Sequence, residues 1–393
     1  MSNFIPLSSA VEFIRGITFK PEDLVDPAER DAVVCMRTKN IQNELDASDL
    51  IAVPSRFVRR DELYLKPTDL LLSSANSWNL VGKAVYVGDL RFPATAGGFI
   101  SIVRPRPNIV NPRYLYRWIT YSETQEAIRN CGRQTTNISN LSVERFLELK
   151  IPLPSSQEQH RIAAVLDKAD AIRKKQSEAI RLADDFLRSV FLDLFGGLLS
   201  APTDQWRSLG DCTDFIDYRG KTPEKSDGGI RLITAKNVRD GVINIEPAEF
   251  ISEETYSWWM SRGYPQSGDV LFTTEAPLGN IAVLRTDEPV AIGQRLIAIR
   301  PREMLRSDYL SWALRQDVIQ RDIFSRATGS TVKGIRSAEL VQVRVPIPSY
   351  DNQLKFERIV ASVNHQKEAM HASAMQGEQL FQALQQQAFQ GRL

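Results

Sequence analysis

Apolar residues alternate at spacings of four and three over two long stretches of the chain, and each stretch begins just after a proline-bracketed segment. Ile151-Pro152-Leu153-Pro154 precedes the first, where Ile162, Leu166, Ala169, Arg173, Gln176, Ile180, Ala183, Leu187, Val190 and Leu194 share one phase. Val345-Pro346-Ile347-Pro348 precedes the second, 194 positions later, where Phe356, Val360, Val363, Lys367, Met370, Ala374, Gly377, Phe381, Leu384 and Ala388 repeat it. Such alternation is the seam of a coiled coil, so the chain is predicted to be an internal duplication with a long helix closing each half. The expected order is a globular region over 1–150, a central helix within 151–200, a second globular region over 201–345 and a C-terminal helix within 346–393. Ser155 and Glu158 have capping-box spacing at the first helix start, and Gly196-Gly197 is expected to end it. About forty residues at ~1.5 Å each make a rod of roughly 60 Å.

The globular halves echo each other in short β-type runs punctuated by Gly, Pro and Asn. Lys39-Asn40-Ile41 matches Lys236-Asn237-Val238, Asp69 to Ser74 matches Asp269 to Thr274, and Ile102 to Pro105 matches Ala298 to Pro301. Each half then has a helical pattern, around Pro112 to Asn130 and Asp308 to Ser325, followed by a polar turn at 134–138 or 329–333. Each half is therefore expected to be a mixed α/β domain, and the whole chain α+β.

A length of 393 residues with 42% hydrophobic and 25% charged residues supplies more than one ordinary globular core. The three cysteines, Cys35, Cys131 and Cys212, are widely spaced, which argues against a disulfide framework and fits a reducing cytoplasm. Neither an export signal nor a membrane span is legible. A duplicated chain with a stiff two-helix seam suits a rod-like ligand carrying two sites, and duplex DNA is the natural one. Charge complicates this, because residues 1–150 carry 19 Lys+Arg against 17 Asp+Glu and residues 201–345 carry 19 against 20. Phosphate affinity scales with neutralised charge, so partner subunits are expected to add cations.

The densest candidate chemistry lies at Tyr218-Arg219-Gly220-Lys221-Thr222-Pro223 and at Lys236 and Asn237, with Lys39 and Asn40 as counterparts in the first half. Arg and Lys suit guanine edges and Asn suits adenine, although Asn237 can equally cap a turn. Arg133, Thr136 and Asn137 in one polar turn, and Ser330, Thr331 and Lys333 in the other, offer donors for phosphates. The aromatics Trp78, Trp258, Trp259 and Tyr264 are read as core material more often than base-stacking platforms. Arg56, Arg59 and Arg60 are followed at once by Asp61 and Glu62, which reads as a solvated surface. The three histidines fall in the seam helices, and the spacing of His365 and His371 does not suit a metal pair. No phosphate loop, dinucleotide fingerprint or serine elbow occurs.

The proline segment followed by Gln157-Glu158-Gln159 and Ala163-Ala164-Val165-Leu166-Asp167, together with Tyr218 to Pro223 and Gly329 to Gly334, closely resembles the specificity subunit of type I restriction-modification systems. The likeness runs through essentially the whole chain. It implies two target recognition domains in pseudo-twofold arrangement, joined by two long antiparallel coiled-coil helices. Each domain would read one half of a split DNA sequence, with helix length setting the gap between them. It also implies no catalytic residue and no cofactor on this chain. Two methyltransferase subunits with S-adenosylmethionine would methylate adenine, and restriction subunits would use ATP and Mg. A non-catalytic protein-binding scaffold with incidental DNA contact is the competing reading, and an enzyme with an unrecognised site is a third.

Overall fold

The computed structural model describes residues 3–134, 138–218 and 222–393. The chain divides into two compact units, Met1–Ser177 with Ala372–Leu393, and Glu178–His371. Each holds one globular half plus a segment of each long helix.

In the first unit the central sheet is antiparallel, in the order Val11–Arg15, Ile100–Pro105, Leu70–Ser73, Ala84–Tyr86. A second sheet runs Ile51–Pro54, Ala32–Met36, Ala94–Ala96, the last pair parallel. The other unit repeats both. Its four-stranded sheet is Thr213–Asp217, Leu296–Pro301, Val270–Thr273, Ile281–Val283, and its three-stranded sheet is Phe250–Ile251, Ile230–Ile233, Val290–Ile292, again with a parallel pair. Strands such as LLLS and VLFT are buried along their whole length, as a sheet packed on both faces requires. A two-stranded ladder of Asn3–Pro6 with Lys150–Leu153, or Arg207–Ser208 with Arg344–Val345, ties the start of each half to its proline segment.

The duplication reaches individual hydrogen bonds. Asp69 holds Arg104 through both carboxylate oxygens (2.8 and 2.7 Å), and Asp269 holds Arg300 in the same way (2.8 Å each). The buried Tyr114 hydroxyl donates to the Pro152 carbonyl and that of Tyr309 to the Pro346 carbonyl, both at 2.7 Å. The second half has Asp351-Asn352-Gln353 where the first has Gln157-Glu158-Gln159, yet Gln353 does the work of Gln159. Each accepts a backbone N–H, from Arg306 or Asn111, and each donates to the last proline carbonyl of its segment.

The long helices are Ser156–Leu199 and Tyr350–Phe389. All twenty seam positions expected from the heptads are buried or half-buried. Within the first unit Arg173 bonds Glu378 (2.8 Å), Gln176 bonds Ser373 (2.9 Å) and Arg161 bonds the Leu393 carbonyl (2.5 Å). Within the second, Lys367 pairs with Asp184, and Phe191 and Phe195 pack on Phe356. Partners rise on one helix as they fall on the other, so the pair is antiparallel.

Two expectations about helix ends need correction. The first helix does not stop at Gly196-Gly197 but runs on to Leu199. Fully buried Phe195 sits against Tyr309 (4.8 Å between ring centres), and Leu194 and Leu199 pack on the same core, so packing overrides the weak propensity of two glycines. The single helix expected in each half is two, Pro112–Ile119 and Ser122–Asn130, then Ser307–Leu314 and Asp317–Arg326. Gln125 and Gln320 satisfy the break by donating to the carbonyls of Ile119 and Leu314, at 2.7 and 2.8 Å.

Candidate nucleic-acid interface

The strand registers expose a counterpart that sequence comparison missed. Val11 faces Pro105 and Thr213 faces Pro301, so the loop after each first strand aligns Gly16-Ile17-Thr18-Phe19-Lys20-Pro21 with Tyr218 to Pro223. Only the closing proline survives as an identity, too weak a signal without the ladders. Gly16 is needed there: a Cβ would come within 2.2 Å of the Gly97 carbonyl oxygen. Tyr218 is buried instead, stacked on Trp259, with its hydroxyl accepting from the Arg262 N–H (2.6 Å) and donating to the Gly263 carbonyl (2.7 Å). Burial raises its phenol pKa, against the lowering effect of those backbone bonds. It braces the loop rather than facing outward. Arg219 and Lys221 lie outside the described residues.

Asn40 and Asn237 are also inside, each 1% exposed. The Asn40 carbonyl oxygen accepts the Arg37 N–H at 2.8 Å, and its amide donates to the carbonyls of Asp46 and Asp49. Asn237 accepts from Thr234 and donates to Asn244 and Pro247. Both amides are consumed in holding an irregular loop, so the expectation that they present adenine-reading groups gives way to a framing role. The neighbouring lysines point outward: Lys39 pairs with Asp49, and Lys236 lies 3.8 Å from Glu249.

The polar turns sit on equivalent supports. In the first unit Gly132–Gln134 pairs with Ser139–Leu141, which pairs with Ala75–Asn76. Arg133 is exposed on this ladder, whereas Thr136 and Asn137 lie outside the described residues. In the second, Thr328 and Gly334 exchange two 2.9 Å backbone bonds, and Gly334 also bridges to Glu275. Gly329 turns this loop at φ +106°, where a Cβ would strike the Val332 carbonyl oxygen. Ser330, Thr331 and Lys333 are all exposed at its tip.

Beside this loop a cleft of about 160 Å³ is lined by Thr222, Pro223, Lys225, Lys236, Glu249, Gln294 and Arg295 among others. Glu249 takes Lys225 at 3.0 Å and Glu275 takes Arg295 at 3.0 Å, so two of the cleft's cations are held by carboxylates. Such a surface can donate to phosphates and to base edges. The aromatics divide, Trp259 into the core and Trp258 and Tyr264 onto the surface. His160, His365 and His371 are exposed, and among the described residues no group of side chains could hold a metal ion.

A family model described as the type I restriction modification DNA specificity domain matches residues 18–182. The specificity subunit of type I restriction enzyme EcoKI, from Escherichia coli (strain K12), is 25% identical over 287 residues, which are 68% of this chain and 60% of its own length. That of StySPI, from Salmonella potsdam, is 28% identical over 210 residues, or 52% and 44%. The chain thus spans less than two thirds of the length of these two relatives. The solved S subunit of a type I restriction-modification system from M. genitalium matches 99% of this chain and 96% of its own, with TM-score 0.60 at 16% identity, a likeness of fold. Over residues 18–182 the chain matches the type I DNA specificity domain, and over about two thirds of its length it is similar to type I specificity subunits. In this chain Pro152-Leu153-Pro154 and Gln159 anchor the first long helix, while Arg133 and the 328–334 loop carry exposed donors. Among its described residues no helix is long and apolar enough to cross a membrane.

Proposed function

We propose that this chain is the non-catalytic DNA sequence-reading subunit of a type I restriction-modification complex and that its two halves recognise the two parts of one split DNA target. The observation that carries this reading is a single frame built twice, with different side chains at its loop tips. The Asp69–Arg104 and Asp269–Arg300 clamps, the Asn40 and Asn237 braces and the Gln125 and Gln320 caps recur almost bond for bond. The exposed residues they carry differ. Fixed frames with variable tips suit two related but non-identical half-sites.

Catalysis falls to partners: two methyltransferase subunits holding S-adenosylmethionine modify adenine, and restriction subunits use ATP and Mg. The near-neutral charge supports such a division, because phosphate grip must come largely from elsewhere. Buried, unpaired cysteines support a reducing cytoplasm as the place of action.

The test is reconstitution with the methyltransferase subunits, followed by mapping of methylated adenines in DNA. Replacing residues 1–150 with the corresponding segment of another family member is expected to change one half of the methylated motif and leave the other intact. An unchanged motif refutes the reading, and so does retardation of all sequences equally in a gel shift.

A further inference from the structure

One turn occupies the same place in both units and presents opposite chemistry. In the first unit it links Ala94–Ala96 to Ile100–Pro105, closed by the Ile100 N–H donating to the Gly97 carbonyl at 2.8 Å. In the second it links Val290–Ile292 to Leu296–Pro301, closed by the Leu296 N–H donating to the Gly293 carbonyl at 3.0 Å. The third residue of each turn is clamped alike: the Ser74 N–H donates to the Phe99 carbonyl and the Thr274 N–H to the Arg295 carbonyl, both at 2.9 Å. The backbone is therefore held equivalently while the tips read Gly98-Phe99 and Gln294-Arg295.

Phe99 is 64% exposed, so its ring stands at the surface of the turn. Its neighbour Gly98 lies beside exposed Thr18, whose methyl group is 3.1 Å from where a Gly98 Cβ would be, on the loop that aligns with Tyr218 to Pro223. Gln294 and Arg295 line the second unit's cleft together with Lys225 and Lys236, and Glu275 holds the Arg295 guanidinium at 3.0 Å. Guanidinium and carboxamide groups on a rigid turn meet the geometric need of purine-edge readout, whereas a phenyl ring can cover a thymine methyl.

We infer that this turn is a specificity-determining element in each half, with Arg295 and Gln294 contacting a purine edge in one half-site and Phe99 making an apolar base contact in the other. This rests on the DNA-reading function proposed above and names residues within it. The geometry assigns Glu275 as a positioning residue for Arg295.

Arg295→Ala, Arg295→Lys, Gln294→Ala and Phe99→Ala chains, each in the full complex with its methyltransferase subunits, would methylate a pool of randomised duplexes that is then sequenced. Arg295→Ala is expected to relax one position of one half-site, losing about 5- to 150-fold of base discrimination. Arg295→Lys retains charge but not the planar fork and should relax the same position. Gln294→Ala should lose discrimination at that position or its neighbour, and Phe99→Ala should act only in the other half-site. Thermal unfolding of each variant separates relaxed specificity from a damaged fold. A wild-type motif whose base preferences survive all four substitutions in folded protein overturns this inference and leaves the function standing. A wild-type complex with no motif overturns both.

Discussion

Asn40 and Asn237 show how a residue suited by chemistry to base reading can serve the frame instead. Each sits where its loop leaves several backbone groups unpaired, and one short amide satisfies three of them. Asn237→Ala should therefore lower stability by about 1–3 kcal/mol, because buried carbonyls lose their donor; chemical denaturation that finds no loss would contradict the framing role. The cysteines carry a second prediction. Burial pushes the Cys35 thiol up to about 12 and that of Cys212 up to about 11, and burial also raises Cys131. With the thiolate suppressed, none should react with a thiol reagent near pH 8 until the protein unfolds. Rapid titration of any of them in the native state would show that its pocket opens. Lys39, Lys236, Ser330, Thr331 and Lys333 stay at the surface as their polarity suggests, while burial of Tyr218 depends on Trp259, far along the sequence and invisible to local pattern.

At the scale of elements, the seam between the long helices combines apolar packing with one charged cluster. Asp170, nearly buried, receives Arg117 at 3.1 Å from the Pro112–Ile119 helix, Arg173 at 2.8 Å and Lys174 at 3.4 Å. Arg173 continues to Glu378 and lies over the Phe381 ring. Burial pushes the Asp170 carboxyl up, but Arg117, Lys174 and Arg173 together outweigh it and hold the group below its usual range. A carboxyl depressed in the folded state contributes stability that is present above its unfolded value, about 4, and is lost as pH falls through the folded value. Melting temperature should thus drop more steeply below pH 4 in the wild type than in Asp170→Asn, and parallel curves would remove Asp170 from the account. The heptads located the seam, including half-buried Gly377, where the Gln176 side chain approaches so closely that a Cβ would lie 2.6 Å from it. They did not locate Phe191 and Phe195, which leave the seam phase because a third partner, the Ser307–Leu314 helix, packs against them.

For the whole molecule, the proposed spacer role makes a length prediction. Removing seven residues from the Ser156–Leu199 helix and the seven that face them in Tyr350–Phe389 keeps the seam in phase and shortens it by roughly 10 Å. The gap in the methylated motif should contract by about three base pairs at 3.4 Å each; a motif with its original gap would end the spacer idea. The primary structure by itself determined the duplication, the two long helices and their buried faces, because a 4–3 apolar period and proline-bracketed starts are local and have few other solutions. It also determined which short runs correspond between halves wherever their identities were retained. Only the tertiary structure decided that Gly16 to Pro21 matches Tyr218 to Pro223, that two asparagines point inward, and that a glycine pair stays helical. The first depends on ladder register, the second on unpaired backbone groups of irregular loops a few residues away, and the third on a core in which Phe195 meets Tyr309, and none of these leaves a periodic trace in the chain.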